Sequence, residues 1–170
     1  IGWLREEFEA LGVPWPERGA RNDEYVAAMR ALWTGPHAEF HGRFVDFPKV
    51  TCSPRPVHGR IPVLVGGDTD AAIARAVRVA DGYFPGESDP GRLGALIAKL
   101  HDGCRRAGRD ASEIELTANF GMPNDPLQAI DALAALGVRR VMVPAFAFAG
   151  DDGLTRLGEF GAQVIARTNA

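Results

Sequence analysis

From Val63 onward, short apolar runs alternate four times with stretches of helical periodicity. A strand over Val63–Val65 precedes a helix over Thr69–Ala80, whose Ile73, Ala76, Val77 and Ala80 share one face. A strand over Gly82–Phe84 precedes a helix over Pro90–Ala107, with Leu93, Leu96, Ile97, Leu100 and Cys104 at helical spacing. A strand over Ile114–Asn119 precedes a helix over Pro126–Leu136. A last strand, Arg140–Pro144, precedes a helix from about Asp152 to Arg167 that turns Leu154, Leu157, Phe160 and Val164 inward. Strict alternation of this kind implies parallel strands joined by right-handed crossovers. Val63–Val65 shows no polar alternation, which predicts a strand buried on both faces. Eight such units close a barrel of about 250 residues. The 170 residues here hold four of them. The expected fold is α/β, the C-terminal half of a (β/α)8 barrel rather than a small open four-stranded sheet, both edges of which would need covering. Residues 1–170 read as one partial barrel domain that lacks the first four strands.

Ahead of the alternating part, Leu4 to Leu11 form a short helix stopped by Gly12 and the Pro14-Trp15-Pro16 turn. A longer helix over Glu17–Trp33 carries Val26, Met29, Leu32 and Trp33 as its buried stripe, and Gly35-Pro36 ends it. Phe40, Phe44, Val45 and Phe47 around His41-Gly42-Arg43 predict a small hairpin. A proline-rich connector, Ser53 to Pro62, leads to the first strand.

The formal charge of -3 and the lack of a basic run argue against nucleic acid or an anionic membrane as partner. No apolar stretch is long enough to span a bilayer, and no signal peptide precedes the first helix. Cys52 and Cys104 have no CxxC spacing, and they read as free thiols of a cytoplasmic protein. The chain starts at Ile1, inside a motif, which is expected of a fragment.

Ile61 to Arg75 carries the most specific chemistry. A strand stops at Gly66-Gly67 and a helix capped by Thr69 starts almost at once. Two glycines let the backbone turn through angles closed to other residues, and the free N–H groups of the new helix point back at the turn. Strand, glycine turn and helix start make an anion site, most often for phosphate. The same geometry also serves as a tight βα turn that holds no ligand.

Several segments in order resemble a known family, the bacterial luciferase-like monooxygenases, and most closely their coenzyme F420-dependent oxidoreductase branch. They are Ile1-Gly-Trp-Leu-Arg-Glu-Glu-Phe-Glu-Ala-Leu-Gly12, the Arg18–Trp33 helix, Phe40-His-Gly-Arg-Phe-Val-Asp-Phe47, Pro54-Arg-Pro56, Val65-Gly-Gly67 and Ala80-Asp-Gly-Tyr-Phe-Pro85. The resemblance implies a (β/α)8 barrel binding F420, or alternatively FMN, at the C-terminal ends of its strands. It implies that Gly2 and Trp3 lie against the cofactor, and that Gly66, Gly67 and Thr69 hold its phosphate. It further implies a small-molecule substrate and a homodimer of the full-length protein. Asp68 and Asp70 depart from what a phosphate site wants, because two carboxylates so close are not fully screened within a Debye length of about 8 Å.

Asn119 is the one polar side chain at the end of a buried strand, which makes it the candidate substrate contact; an amide that merely caps a loop is the equal alternative. Pro85 to Glu87, Asn119 to Met122 and Ala145 to Phe148 follow strand ends and would line a pocket. His37 and His41 lack a third ligand, so no metal is expected. Asp89-Pro90 and Asp125-Pro126 are explained as helix starts, and Asp81, ahead of its strand, as structural. No catalytic acid or base is assigned. The expected activity is hydride transfer between reduced deazaflavin and an organic substrate. The alternatives are an FMN-dependent monooxygenase or, in another class, an inactive fragment or self-pairing α/β module. A sugar-phosphate isomerase or aldolase would need a Lys or Glu at a strand end, and Lys49 and Lys99 lie elsewhere.

Overall fold

The computed structural model describes residues 1–168. Two compact units divide the chain, Ile1–Val65 and the part from Gly66 onward. In the first, α1 (Arg5–Ala10) is followed by a 3-10 turn, Trp15–Glu17, and by α2 (Arg18–Thr34). The hairpin is β1 (Ala38–His41) paired antiparallel with β2 (Asp46–Val50). Glu24 of α2 ties helix to hairpin, accepting the backbone N–H groups of Phe44 at 2.6 Å and Val45 at 2.7 Å. A Cβ at Gly42 would run into that carboxylate, so the turn is built around it. The Phe44 ring takes the guanidinium groups of Arg21 and Arg43, both of which pair with Glu17. On α2 only Val26 and Ala28 are buried. Met29, expected in the buried stripe, is 39% exposed, because small Ala28 rather than Met29 occupies the inward position.

The unit boundary falls inside β3 (Leu64–Gly66), the first strand of a four-stranded sheet of order β3-β4-β5-β6. The other strands are β4 (Gly82–Phe84), β5 (Glu115–Asn119) and β6 (Val138–Met142). The pairs β4–β5 and β5–β6 are parallel. Between them run α3 (Asp70–Val79), α4 (Pro90–Ala107) and α5 (Pro126–Ala135). After β6 come a 3-10 turn (Ala145–Phe148), α6 (Gly153–Phe160), a π turn (Gly161–Ile165) and α7 (Ala166–Thr168). The expectation of four strand–helix units in parallel order agrees with this architecture.

The core lies between sheet and helices. Ile73, Ala76 and Val77 of α3, and Leu93, Ile97, Leu100 and Cys104 of α4, are buried, as the helical spacing implied. Gly103 lets α3 and α4 approach closely, since a Cβ there would lie 2.9 Å from Val77 Cγ2. On β5, Leu116 and Ala118 are buried. Phe120, just beyond, meets the Phe160 ring of α6 at 6.2 Å, so this alternate set faces the helices. Glu115, Thr117 and Asn119 take the opposite face, where Arg140 pairs with Glu115 at 2.8 Å.

Three expectations are corrected. β3 is an outer strand, and Leu64 is 38% exposed, so it is not buried on both faces. The last strand is Val138–Met142 rather than Arg140–Pro144. It starts directly after Gly137, whose φ of +84° makes the reversal by itself. In the last helical segment Phe160 and Val164 are buried, but Leu154 is 85% exposed and Leu157 is also exposed. Both side chains are open to solvent rather than turned into the core.

Candidate functional site

β3 ends at Gly66 and α3 begins at Asp70, so Gly67, Asp68 and Thr69 make the whole turn. Gly67 adopts φ +115°, a region that side-chain-bearing residues avoid. A Cβ on Gly67 would sit 3.3 Å from Ala72 Cβ, and one on Gly66 would sit 3.3 Å from the Phe84 carbonyl oxygen. Gly67 is favoured by its backbone angle, and a side chain at either position would need its neighbour to give way slightly. Thr69 caps α3, its Oγ1 accepting the Ala72 N–H at 3.2 Å. The amides of Asp70 and Ala71, the first two of the helix, have no acceptor within it.

The turn is fastened to its neighbours. The Gly67 N–H donates to the Phe84 carbonyl at 3.3 Å. Tyr83, fully buried, donates its hydroxyl to the Gly67 carbonyl at 2.9 Å. Burial, and then the charge of Asp68, push the Tyr83 phenol up to about 12, so it stays a donor. Asp68 Oδ1 accepts the Gly86 N–H at 2.7 Å, and Asn119 Nδ2 donates to the Gly86 carbonyl at 3.2 Å. Asp70 pairs with Lys99 of α4 at 2.8 Å. The Lys99 hydrogen bond, and then its charge, hold the Asp70 carboxyl below its ordinary value. Both carboxylates that looked out of place beside an anion are thus engaged elsewhere.

The structure brings Gly66, Gly67, Thr69 and Asn119 to one end of the sheet, joined through Gly86. The Gly67 amide is bonded to Phe84, so the donors left for a ligand are those at the start of α3. Sequence reasoning missed Tyr83 and Gly86 as fixtures of this turn and passed over Lys99. Tyr83 and the Pro85–Glu87 segment had both been singled out, but only by motif and position. Gly2 and Trp3 lie in the first unit, ahead of α1. Gly2 sits against the Phe8 ring, where a Cβ would come to 2.9 Å, and Trp3 is 85% exposed. A cavity of about 280 Å³ there is lined by Gly2, Phe8, Leu11, Arg18, Arg21 and Tyr25, among others. Another cavity, about 670 Å³, runs between α3 and α4 and is lined by residues such as Ala74, Arg78 and Arg106. It is a groove between helices rather than a site at the strand ends, where barrel proteins do their chemistry.

His41 pairs with Asp46 at 2.7 Å, and His37 meets the Thr51 hydroxyl at 3.3 Å. Among the described residues no three His, Cys, Asp or Glu side chains are grouped to hold a metal ion. Among them, too, no helix is long and apolar enough to cross a membrane. Cys104 is buried and Cys52 half-buried, and both are free.

Parallel strands joined by helical crossovers define a protein of the α/β class. More narrowly, the chain belongs to the luciferase-like monooxygenase family, whose model matches residues 1–137. An uncharacterized protein of Mycobacterium tuberculosis is 41% identical over 127 residues, which are 74% of this chain and 43% of that protein. The FMNH2-dependent dimethylsulfone monooxygenase of Pseudomonas putida is 39% identical over 122 residues, 69% of this chain and 33% of that protein. The chain therefore spans less than half the length of these curated relatives. The coenzyme F420-dependent tetrahydromethanopterin reductase from Methanopyrus kandleri superposes with a TM-score of 0.72 at 16% identity, covering 97% of this chain and 72% of that one. That likeness is one of fold, and the half-barrel expectation agrees with it.

Proposed function

We propose that the chain forms the phosphate-holding half of an oxidoreductase that transfers a hydride between reduced F420 and an organic substrate. The observation that carries this reading is the Gly66–Thr69 turn, where a Cβ would be crowded, Gly67 takes φ +115°, and the first amides of α3 have no acceptor within the helix. Donors fixed in this way suit the phosphate of a cofactor tail. The bound cofactor supplies the hydride chemistry, and the protein supplies binding, orientation and electrostatics.

In this reading the amides at the start of α3 hold the phosphate, and Gly66 and Gly67 leave it room. Thr69 keeps its hydroxyl on Ala72 and so fixes the helix start. Lys99 neutralises Asp70, which lowers the repulsion an anion would meet. Gly2 and Trp3 contribute the apolar contact that the family resemblance implies for them, and a small organic molecule is the substrate. Anchoring the tail sets the distance from reactive carbon to substrate. The protein that contains this chain acts in the cytoplasm as a homodimer.

A second reading, an FMN-dependent monooxygenase, is supported by the 39% identity to the Pseudomonas enzyme. Anaerobic titration with reduced F420 and reduced FMN separates the two. Saturable binding of F420 with no FMN binding is the expected result, FMN binding alone selects the second reading, and binding of neither rejects both.

A further inference from the structure

We propose that Asp68 and Asn119 are positioning residues for the anion turn, acting on it through the peptide groups of Gly86. This inference rests on the phosphate-site reading of that turn. It gives Asp68 a role opposite to the repulsion its charge suggests, and it moves Asn119 from substrate contact to support.

Gly86 belongs to the loop after β4, between the turn after β3 and the end of β5. Both of its backbone polar groups are used. Its N–H goes to Asp68 Oδ1 at 2.7 Å, a short, charge-assisted bond. Its carbonyl takes Asn119 Nδ2 at 3.2 Å. A Cβ on Gly86 would come to 3.2 Å from Asp68 Oδ2, so the carboxylate packs closely against this glycine. One residue earlier in the turn, Gly67 is held at its N–H by Phe84 and at its carbonyl by Tyr83. Asp68 therefore completes a three-point attachment of Gly67-Asp68 to the segment from Tyr83 to Gly86, and Asn119 ties that segment to β5. The amides just downstream cannot swing away, and donors already in place bind without the cost of ordering them.

Substitutions at Asp68 separate the latch from the charge. Asp68→Asn keeps an oxygen that accepts the Gly86 N–H and removes the charge, while Asp68→Ala removes both. The full chain is titrated with FMN and with F420, using inorganic phosphate as competitor. Asp68→Ala should weaken binding about tenfold, the effect of losing one charge-assisted bond, whereas Asp68→Asn binds as tightly as wild type or tighter. Asn119→Ala should weaken binding by a smaller factor, and the double variant Asp68→Ala/Asn119→Ala by less than the product of the two, because both act on one peptide unit. Equal changes of the same sign in Asp68→Ala and Asp68→Asn would overturn the proposal, as would simple multiplication in the double variant. Should Asp68→Ala fail to fold, Asp68→Asn with and without Asn119→Ala carries the test: a loss confined to variants lacking the Asn119 amide supports the latch, and no loss overturns it. If wild type binds none of the three probes, the phosphate reading itself fails. Amide exchange at Gly86 then decides: faster exchange in Asp68→Ala but not in Asp68→Asn sustains the latch, and unchanged exchange refutes it.

Discussion

A single backbone angle governs the candidate site. Gly67 sits at φ +115° with Ala72 Cβ 3.3 Å from where its own Cβ would be. Gly67→Ala should destabilise the second unit by roughly 1–3 kcal/mol, the usual cost of a residue held in such a region, and should weaken phosphate competition against FMN. Thermal unfolding and titration of the same variant check both effects. Two titrating side chains in the first unit act in opposite directions. Burial alone would raise the Glu24 carboxyl, but the N–H groups of Phe44, Val45 and Arg43 together bring it below 4.5. Its contribution is thus fully present above pH 4.5 and is lost as pH falls through the lower folded value. His41 is raised above 6.5 by its hydrogen bond to Asp46 and then by that residue's charge. Its contribution is present below pH 6.5 and is lost as pH rises through the folded value. Unfolding of the first unit followed against pH should show an acid limb that disappears in Glu24→Gln and a shallow loss above neutrality that disappears in His41→Gln.

At the level of elements, α3 is held at both ends by side chains from its neighbours. Lys99 meets its first residue, and Arg109 caps its last turn, donating to the carbonyls of Ala76, Val77 and Ala80 at 3.1, 2.8 and 2.6 Å. Arg109→Ala leaves those acceptors without their partner and should cost about 2 kcal/mol, read by denaturant unfolding. Arg109→Lys should recover little, because an ammonium cannot present the guanidinium fork. Helices and their caps were legible in the sequence because Thr69, Asp89 and Asp125 each place an oxygen one residue before an apolar repeat, and all three accept the expected amide. β6 was less legible. Gly137 reverses the chain without a loop, and Arg139 and Arg140 look like turn residues although Arg140 is a strand residue paired with Glu115. The candidate turn was readable from Gly66-Gly67 and Thr69, but the Tyr83, Gly86 and Asn119 contacts were not. They join segments up to 33 residues apart through geometry that no local spacing encodes.

Across the molecule, the sheet has β3 and β6 as outer strands among the described residues. Met142 of β6 is 51% exposed. Outer strands with uncovered apolar residues template pairing with other chains. The chain should therefore self-associate with rising concentration, and Met142→Lys should reduce that association in light scattering while leaving the melting temperature nearly unchanged. Equal scattering from both proteins would show that β6 is not the contact. Inward-facing residues that the alternation predicted, such as Leu154 and Leu157, are exposed for a related reason: periodicity reports which face is apolar, not whether anything covers it. The Arg109 cap has a further meaning for how the molecule is made. The acceptors it serves lie 29 to 33 residues upstream, so on the ribosome the end of α3 lacks this cap until Arg109, just past α4, has been translated. A pair of successive strand–helix units is accordingly the shortest nascent piece that can carry this cap.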